Sequence, residues 1–182
     1  MTWNIPNILT ISRIFMIPFF MAAFPDHKLI AFCLFIAASL TDFVDGYIAR
    51  KLQMVTNFGK YMDPLADKLL VFSAIILFVD AGQMPVWIAM IVIARELLIT
   101  GLRTIAAERS IIIAAGASGK VKTAVQTCGI ILLLTPIATL SLYGVTIELM
   151  INYVILLVTV WSGIDYFYQY RHIFRDDNTG KK

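Results

Sequence analysis

Charge is scarce in this 182-residue chain. Lysine and arginine number 15, aspartate and glutamate 12, and charged residues make up 15% of the sequence against 59% hydrophobic. A mean hydropathy of +0.81 excludes a water-soluble domain of this length. Cysteine and histidine are sparse too, with two of each. Cys33 and Cys128 fall inside apolar runs, which reads as packing and leaves no disulfide or thiol motif. His27 and His172 stand alone near segment ends, as surface histidines do. No repeat, low-complexity segment or linker interrupts the chain, so one domain over residues 1–182 is expected. The first apolar run has no basic stretch ahead of it and no small-residue cleavage site, so it is expected to be retained. The formal charge is only +3, and no nucleic-acid partner is expected.

What is abundant is apolar sequence in long runs. Six spans can be drawn against the ~20 residues that a helix needs to cross a bilayer. They are Ile8–Phe24, Lys28–Ala49, Leu65–Ala81, Pro85–Ile105, Val121–Leu142 and Ile147–Tyr168. The expected class is therefore an all-α, polytopic membrane protein with six transmembrane helices. Pro18 and Pro136 lie inside spans and predict kinks. With these spans Arg50, Lys51, Lys60, Arg103, Arg109, Lys120, Lys122, Arg171, Arg175, Lys181 and Lys182 share one side, while the opposite loops hold only Lys28. By the positive-inside rule the rich side and both termini are cytoplasmic. Trp3, Trp87, Trp161 and the tyrosines from Tyr166 to Tyr170 read as interface anchors.

Against this background four carboxylates stand out. Asp42 and Asp45 are three apart, and Asp63 and Asp67 are four apart, so each pair shares a helix face. Thr56-Asn57, in the eight residues between Arg50 and Gly59, suits a short turn between antiparallel helices. Folding that hairpin brings both pairs together at the cytoplasmic boundary. An ionisable group at membrane depth costs at least ~2.5–3.5 kcal/mol, so four together require a compensating partner. Oxygen ligands suit Mg²⁺, Mn²⁺ or Ca²⁺, and the lack of nearby histidine or cysteine argues against zinc. Because Mg²⁺ keeps positions for water and phosphate, a phosphate-bearing substrate is implied. Gly46, Ala49 and Gly59 allow close backbone approach or leave room for a flat ligand, helix packing serving as well as a substrate role. Arg50 supplies a fixed charge suited to a diphosphate.

The pattern D-x-x-D-G-x-x-A-R-x8-G-x3-D-x3-D, filled by Asp42, Asp45, Gly46, Ala49, Arg50, Gly59, Asp63 and Asp67, resembles the signature of the CDP-alcohol phosphotransferases. The resemblance implies a six-helix membrane enzyme, usually a homodimer, with two divalent ions (Mg²⁺ or Mn²⁺) at an active site on the cytoplasmic interface. It implies that Asp42, Asp45 and Asp63 are metal ligands, and that Asp67 is both ligand and base for the acceptor hydroxyl. Gly46, Ala49, Arg50 and Gly59 would then meet the CDP-linked donor.

The remaining charges bear on the acceptor. Arg95-Glu96 lies inside the fourth span, with Arg103 at its cytoplasmic end. Arg95 and Arg103 are about 80° apart around a helix and ~12 Å apart along it, so they can border one cavity. Glu96 and Arg103 could instead form an ordinary ion pair. The run A-G-A-S-G-K-V-K-T sets glycines and Lys120 at the start of the fifth helix, a favourable anion site. Arg95, Arg103 and Lys120 together suggest a pocket for a phosphate that is bound but not transferred. Lys122 and Arg109 read as ordinary positive-inside residues.

R-E-L-L-I-T-G-L-R, G-K-V-K-T and D-P-L-A-D-K-L are similar to a branch of that family, the bacterial phosphatidylglycerophosphate synthases. So is the opening I-P-N-I-L-T-I-S-R, whose Asn7 and Thr10 face the active site or cap the first helix. The implied reaction joins CDP-diacylglycerol to sn-glycerol 3-phosphate, giving phosphatidylglycerophosphate and CMP at a bacterial plasma membrane. A sister enzyme using inositol phosphate, serine or a phospholipid would share the hairpin but not need the Arg95, Arg103 and Lys120 set. A divalent-cation transporter would line an ion path with acids, yet these cluster at one face beside basic residues.

Overall fold

A computed structural model describes residues 5–52, 57–108, 116–142 and 144–171, with side chains at 5–7, 42–52, 57–61, 63–64, 108 and 142 left out of the description. Its architecture is helical throughout apart from one small hairpin. The helices are α1 (Ile5–Ala23), α2 (Lys28–Leu52), α3 (Asn57–Asp80), α4 (Val86–Glu108), α5 (Ala117–Leu133) and α6 (Ile147–Tyr170). All six expected helices form, most ends shifted by a few residues, with α3 starting eight residues early and α5 ending nine residues early. Among the described residues one helix, α6, is long and apolar enough to cross a membrane, while Ile8–Ala23 and Lys28–Thr41 are shorter apolar stretches.

Helix α1 packs against both α2 and α3, α6 packs against α4 and α5, and α3 touches both groups. One end of the bundle is held by aromatic rings. Phe20 lies 5.8 Å from Phe35 and 6.5 Å from Phe24, and Phe24 lies 5.7 Å from Phe78, centroid to centroid. Ile88, Leu133 and Leu134 complete that core. Arg13 is fully buried between α1 and α2, and its Nε donates to the Ala38 carbonyl at 3.2 Å. Since α1 is already under way at Ile5, Asn7 and Thr10 do not cap it, and Thr10 is fully buried.

Two connections explain where helices stop. After α3, Gly82 adopts φ +70, and the N–H groups of Gln83 and Met84 both return to the Phe78 carbonyl, at 2.8 and 3.0 Å. That left-handed turn is one glycine makes without strain. The fifth helix departs from expectation, ending at Leu133 instead of running to Leu142. Pro136 ends it: proline lacks an N–H and drives the preceding residue out of the helical region, and Thr135 has ψ 156. A 3-10 turn over Pro136–Thr139 follows, then an antiparallel hairpin pairing Ser141 with Thr146 and Leu142 with Val145. Thr146 Oγ1 accepts from the Leu149 N–H and caps α6.

Among the described side chains every helix exposes large apolar ones, Phe15, Leu29, Leu69, Met90, Leu132 and Leu157 among them. The buried faces of α5 and α6 carry polar and small residues beside Ile130, Leu133 and Ile155. They carry Ser118, Lys122, Gln126 and Gly129 on α5, and Asn152, Thr159, Ser162, Gly163 and Tyr166 on α6. Cys33 and Cys128 are exposed instead of packed inside.

Candidate active site

The backbone settles how the two acid pairs stand along their helices. At 1.5 Å per residue, Asp45 and Asp42 lie about 10 and 15 Å from the end of α2 at Leu52. Asp63 and Asp67 lie about 9 and 15 Å from the start of α3 at Asn57. The pairs are therefore at matching distances from the connection, on helices that touch. Gly46, Ala49 and Arg50 occupy the same part of α2, and Gly59 the first turn of α3. Between Arg50 and Gly59, residues 51–52 end α2 and residues 57–58 begin α3, and the expected turn falls on residues 53–56, outside the described set. Of the signature residues only Asp67 has a described side chain.

Asp67 lines a cleft of about 840 Å³ whose other walls come from α4, α5 and α6. Arg95 and Arg103 of α4 and Lys120 of α5 line the same cleft, so the three residues expected to bind a second phosphate share a space with the fourth acid. Four cationic side chains (Lys68, Arg95, Arg103, Lys120) face two carboxylates (Asp67, Glu96) among the described lining residues. Glu96 is already engaged: its Oε1 takes hydrogen bonds from Lys122 Nζ and, at 3.1 Å, from Arg95 Nη1. The cleft therefore favours an anion.

Local folding explains these positions. Helix α5 begins behind Gly116, which is extended (φ −63, ψ 163), and Lys120 sits one turn in with its N–H bonded to the Gly116 carbonyl. Arg95 is fixed by Ser162 on α6, whose Oγ accepts from Nη2. Lys68 Nζ donates to Thr100 Oγ1, linking α3 to α4. Ser118 Oγ donates to Asp165, linking α5 to α6.

Three readings change. Glu96 and Arg103 do not pair, because Glu96 is taken by Lys122 and Arg95 while Arg103 Nη2 donates to Tyr166 Oη at 2.7 Å. Lys122 is not an idle surface charge: its side chain is 3% exposed and neutralises Glu96 inside the bundle. Tyr166 is not an interface anchor but a buried residue at the centre of the site, whereas Trp87, Trp161 and Tyr168 are exposed as anchors should be. Both Arg95 and Arg103 lie over its ring, 5.6 and 5.5 Å from the centroid, within cation–π range. Its Oη also accepts from the Gly116 N–H at 3.1 Å, so one phenol joins α4, α5 and α6. Gly119 leaves it room, since a Cβ there would fall 3.0 Å from that oxygen. The signal that marks Tyr166 and Lys122 is the polar and small stripe at three- and four-residue spacing, which in an apolar-surfaced bundle is the inner face. Arg109 lies outside the described residues.

The chain is similar to known proteins over most of its length. The CDP-alcohol phosphatidyltransferase family model matches residues 3–161. The chain is 40% identical over 181 residues to the CDP-diacylglycerol–glycerol-3-phosphate 3-phosphatidyltransferase of Bacillus subtilis, covering 91% of this chain and 94% of that protein. A protein of the same name from Haemophilus influenzae is 39% identical over 176 residues (91% and 92%). One from Rickettsia bellii is 37% identical over 169 residues (90% and 93%). A match over most of its length, on a helical bundle that brings Asp67 to a basic cleft, shows that the chain belongs to the CDP-alcohol phosphatidyltransferase family.

Proposed function

We propose that this protein transfers the phosphatidyl group of CDP-diacylglycerol to sn-glycerol 3-phosphate, giving phosphatidylglycerophosphate and CMP in phospholipid biosynthesis. The observation that carries the reading is the shared cleft: a carboxylate from the signature faces Arg103, Lys120 and Arg95 across one space. An acceptor with its own phosphate needs both, a base at the hydroxyl and fixed positive charge at the far end.

In this reading the acceptor phosphate is held by Arg103 and Lys120 at the mouth, with Arg95 deeper and braced by Ser162. Tyr166 aligns the two guanidiniums. Asp67 takes the proton of the acceptor hydroxyl as that oxygen attacks the phosphorus bearing diacylglycerol. The bond from this phosphorus to the bridging oxygen of the diphosphate breaks, and CMP leaves with that oxygen. Gly46, Ala49, Arg50 and Gly59 would receive the donor beside the acids.

Asp42, Asp45, Asp63 and Asp67 are the residues that would hold Mg²⁺ or Mn²⁺, two ions by family resemblance. Their fit is supported by the donor set, carboxylate oxygens alone, and by the matched depth of the two pairs on neighbouring helices. Bound there, such ions would supply charge neutralisation for the diphosphate and the leaving group.

The setting belongs to the same proposal: one domain, six helices in a bacterial plasma membrane, both termini and the site on the cytoplasmic side, and two copies together. Helices of 17 to 25 residues with apolar exteriors suit a bilayer. Of the charges that interrupt α3, α4 and α5, Arg95, Glu96 and Lys122 are tied to one another inside the bundle and Lys68 is bonded to Thr100. Cross-linking in vesicles tests the pairing of copies.

The deciding experiment is an assay of purified protein in nanodiscs with CDP-diacylglycerol and Mg²⁺, offering glycerol 3-phosphate, serine and inositol phosphate in turn. CMP release with glycerol 3-phosphate is expected, and its absence would end the reading.

A further inference from the structure

Past Asp67 the cleft continues into a recess of about 40 Å³, one helical turn further along α3 and against the same stretch of α5. Val71 and Phe72 form its apolar wall, Lys122 and Gln126 its polar floor, and Asp67, Lys68, Glu96, Thr123 and Thr127 are shared with the main cleft. A water needs roughly 10–15 Å³ in the same measure, so the recess holds about three or four water-sized groups and excludes a sugar or inositol ring. Lys122 is committed to Glu96. Gln126 is not committed: it is 4% exposed, and its Oε1 is buried without a hydrogen-bond partner among the described residues. A buried amide oxygen left unpaired is unfavourable, and a hydroxyl donor arriving with the substrate relieves it.

We propose that this recess receives the hydroxyl of the acceptor that neither reacts nor carries phosphate, with Gln126 as its hydrogen-bond acceptor and a specificity-determining residue. The inference rests on the glycerol 3-phosphate reading above. In that molecule the phosphate is on C3 and the attacking hydroxyl on C1, which leaves the C2 hydroxyl on the neighbouring carbon. With the phosphate at Arg103 and Lys120 and the C1 oxygen at Asp67, the C2 hydroxyl falls beside the wall that Asp67 shares with the recess. A hydroxyl there donates to Gln126 Oε1, and methylation of that oxygen removes the hydrogen that Gln126 would accept.

The test compares kcat/KM of the wild-type protein in nanodiscs, with CDP-diacylglycerol and Mg²⁺, for three acceptors. These are glycerol 3-phosphate, 3-hydroxypropyl phosphate, which lacks the C2 hydroxyl, and 2-O-methylglycerol 3-phosphate. Both analogues are expected to fall at least about tenfold below glycerol 3-phosphate. In Gln126→Leu the gap between glycerol 3-phosphate and 3-hydroxypropyl phosphate closes to within about threefold, while the KM for CDP-diacylglycerol stays near that of the wild type. Equal use of glycerol 3-phosphate and 3-hydroxypropyl phosphate by the wild type overturns the proposal without any variant. Full discrimination kept by Gln126→Leu overturns it as well. Either result leaves the transferase reading standing, whereas a wild type that releases no CMP with glycerol 3-phosphate removes that reading and this one together.

Discussion

Replacing Tyr166 by phenylalanine removes one oxygen from the centre of the site and little else. The ring is 1% exposed and remains, so the packing against Gly119 and the stacking under Arg95 and Arg103 are kept. Lost are the bonds donated by Arg103 Nη2 at 2.7 Å and by the Gly116 N–H at 3.1 Å. A hydrogen bond to a charged group is worth about 1.5–3 kcal/mol. Arg103 is exposed, so water replaces part of it and the lower end, about 1.5 kcal/mol, applies. If Arg103 holds the acceptor phosphate, that loss appears as a roughly tenfold rise in the apparent KM for glycerol 3-phosphate. The KM for CDP-diacylglycerol should change less than twofold, with Arg103→Ala, which removes the charge itself, setting the upper limit of the effect. The assay is CMP release in nanodiscs with each substrate varied at saturating levels of the other. An unchanged acceptor KM, or an equal rise for both substrates, refutes the placement of Tyr166 and Arg103 at the acceptor phosphate.

Asp67→Asn keeps size and shape but loses the base, so turnover should fall at least ~100-fold with an unaltered thermal unfolding curve. Lys122→Met leaves Glu96 with Arg95 as its remaining ion-pair partner; because Glu96 is 18% exposed, the cost should be about 3 kcal/mol, the low end for a broken buried pair. Adding Glu96→Gln should recover at least half of that on thermal unfolding, and a double variant weaker than Lys122→Met would show that the pair is not coupled as drawn. Chelation should abolish CMP release, with Mg²⁺ or Mn²⁺ restoring it; activity that survives exhaustive chelation would remove the metal from the mechanism.

The number and order of helices were legible because each is a long apolar run bounded by polar or proline-containing sequence. The acids were legible because Asp42, Asp45, Asp63 and Asp67 are costly in such runs and lie at helical spacing. The end of α5 was misjudged for a local reason: Leu140 and Leu142 continue the apolar character past Pro136, and hydropathy does not register a missing N–H. Lys122 and Tyr166 were misjudged for a different one. Basic residues near a helix end and tyrosines near a boundary fit the surface reading equally well, and nothing near them in sequence names a partner 26 or 63 residues away.

The sequence by itself determined that this chain forms apolar helices, that two of them carry paired carboxylates, and which enzyme family that pattern belongs to. All three depend on residues close together along the chain. Only the tertiary structure decided which face of each helix turns inward. In a water-soluble bundle the apolar stripe marks that face, but here the outer surface is apolar too, with Phe15, Met90 and Leu157 exposed. Apolar periodicity therefore gives no direction. The packing of α4, α5 and α6 makes Lys122 a buried partner of Glu96, Tyr166 the brace of two arginines, and Gln126 the floor of a hydroxyl-sized recess.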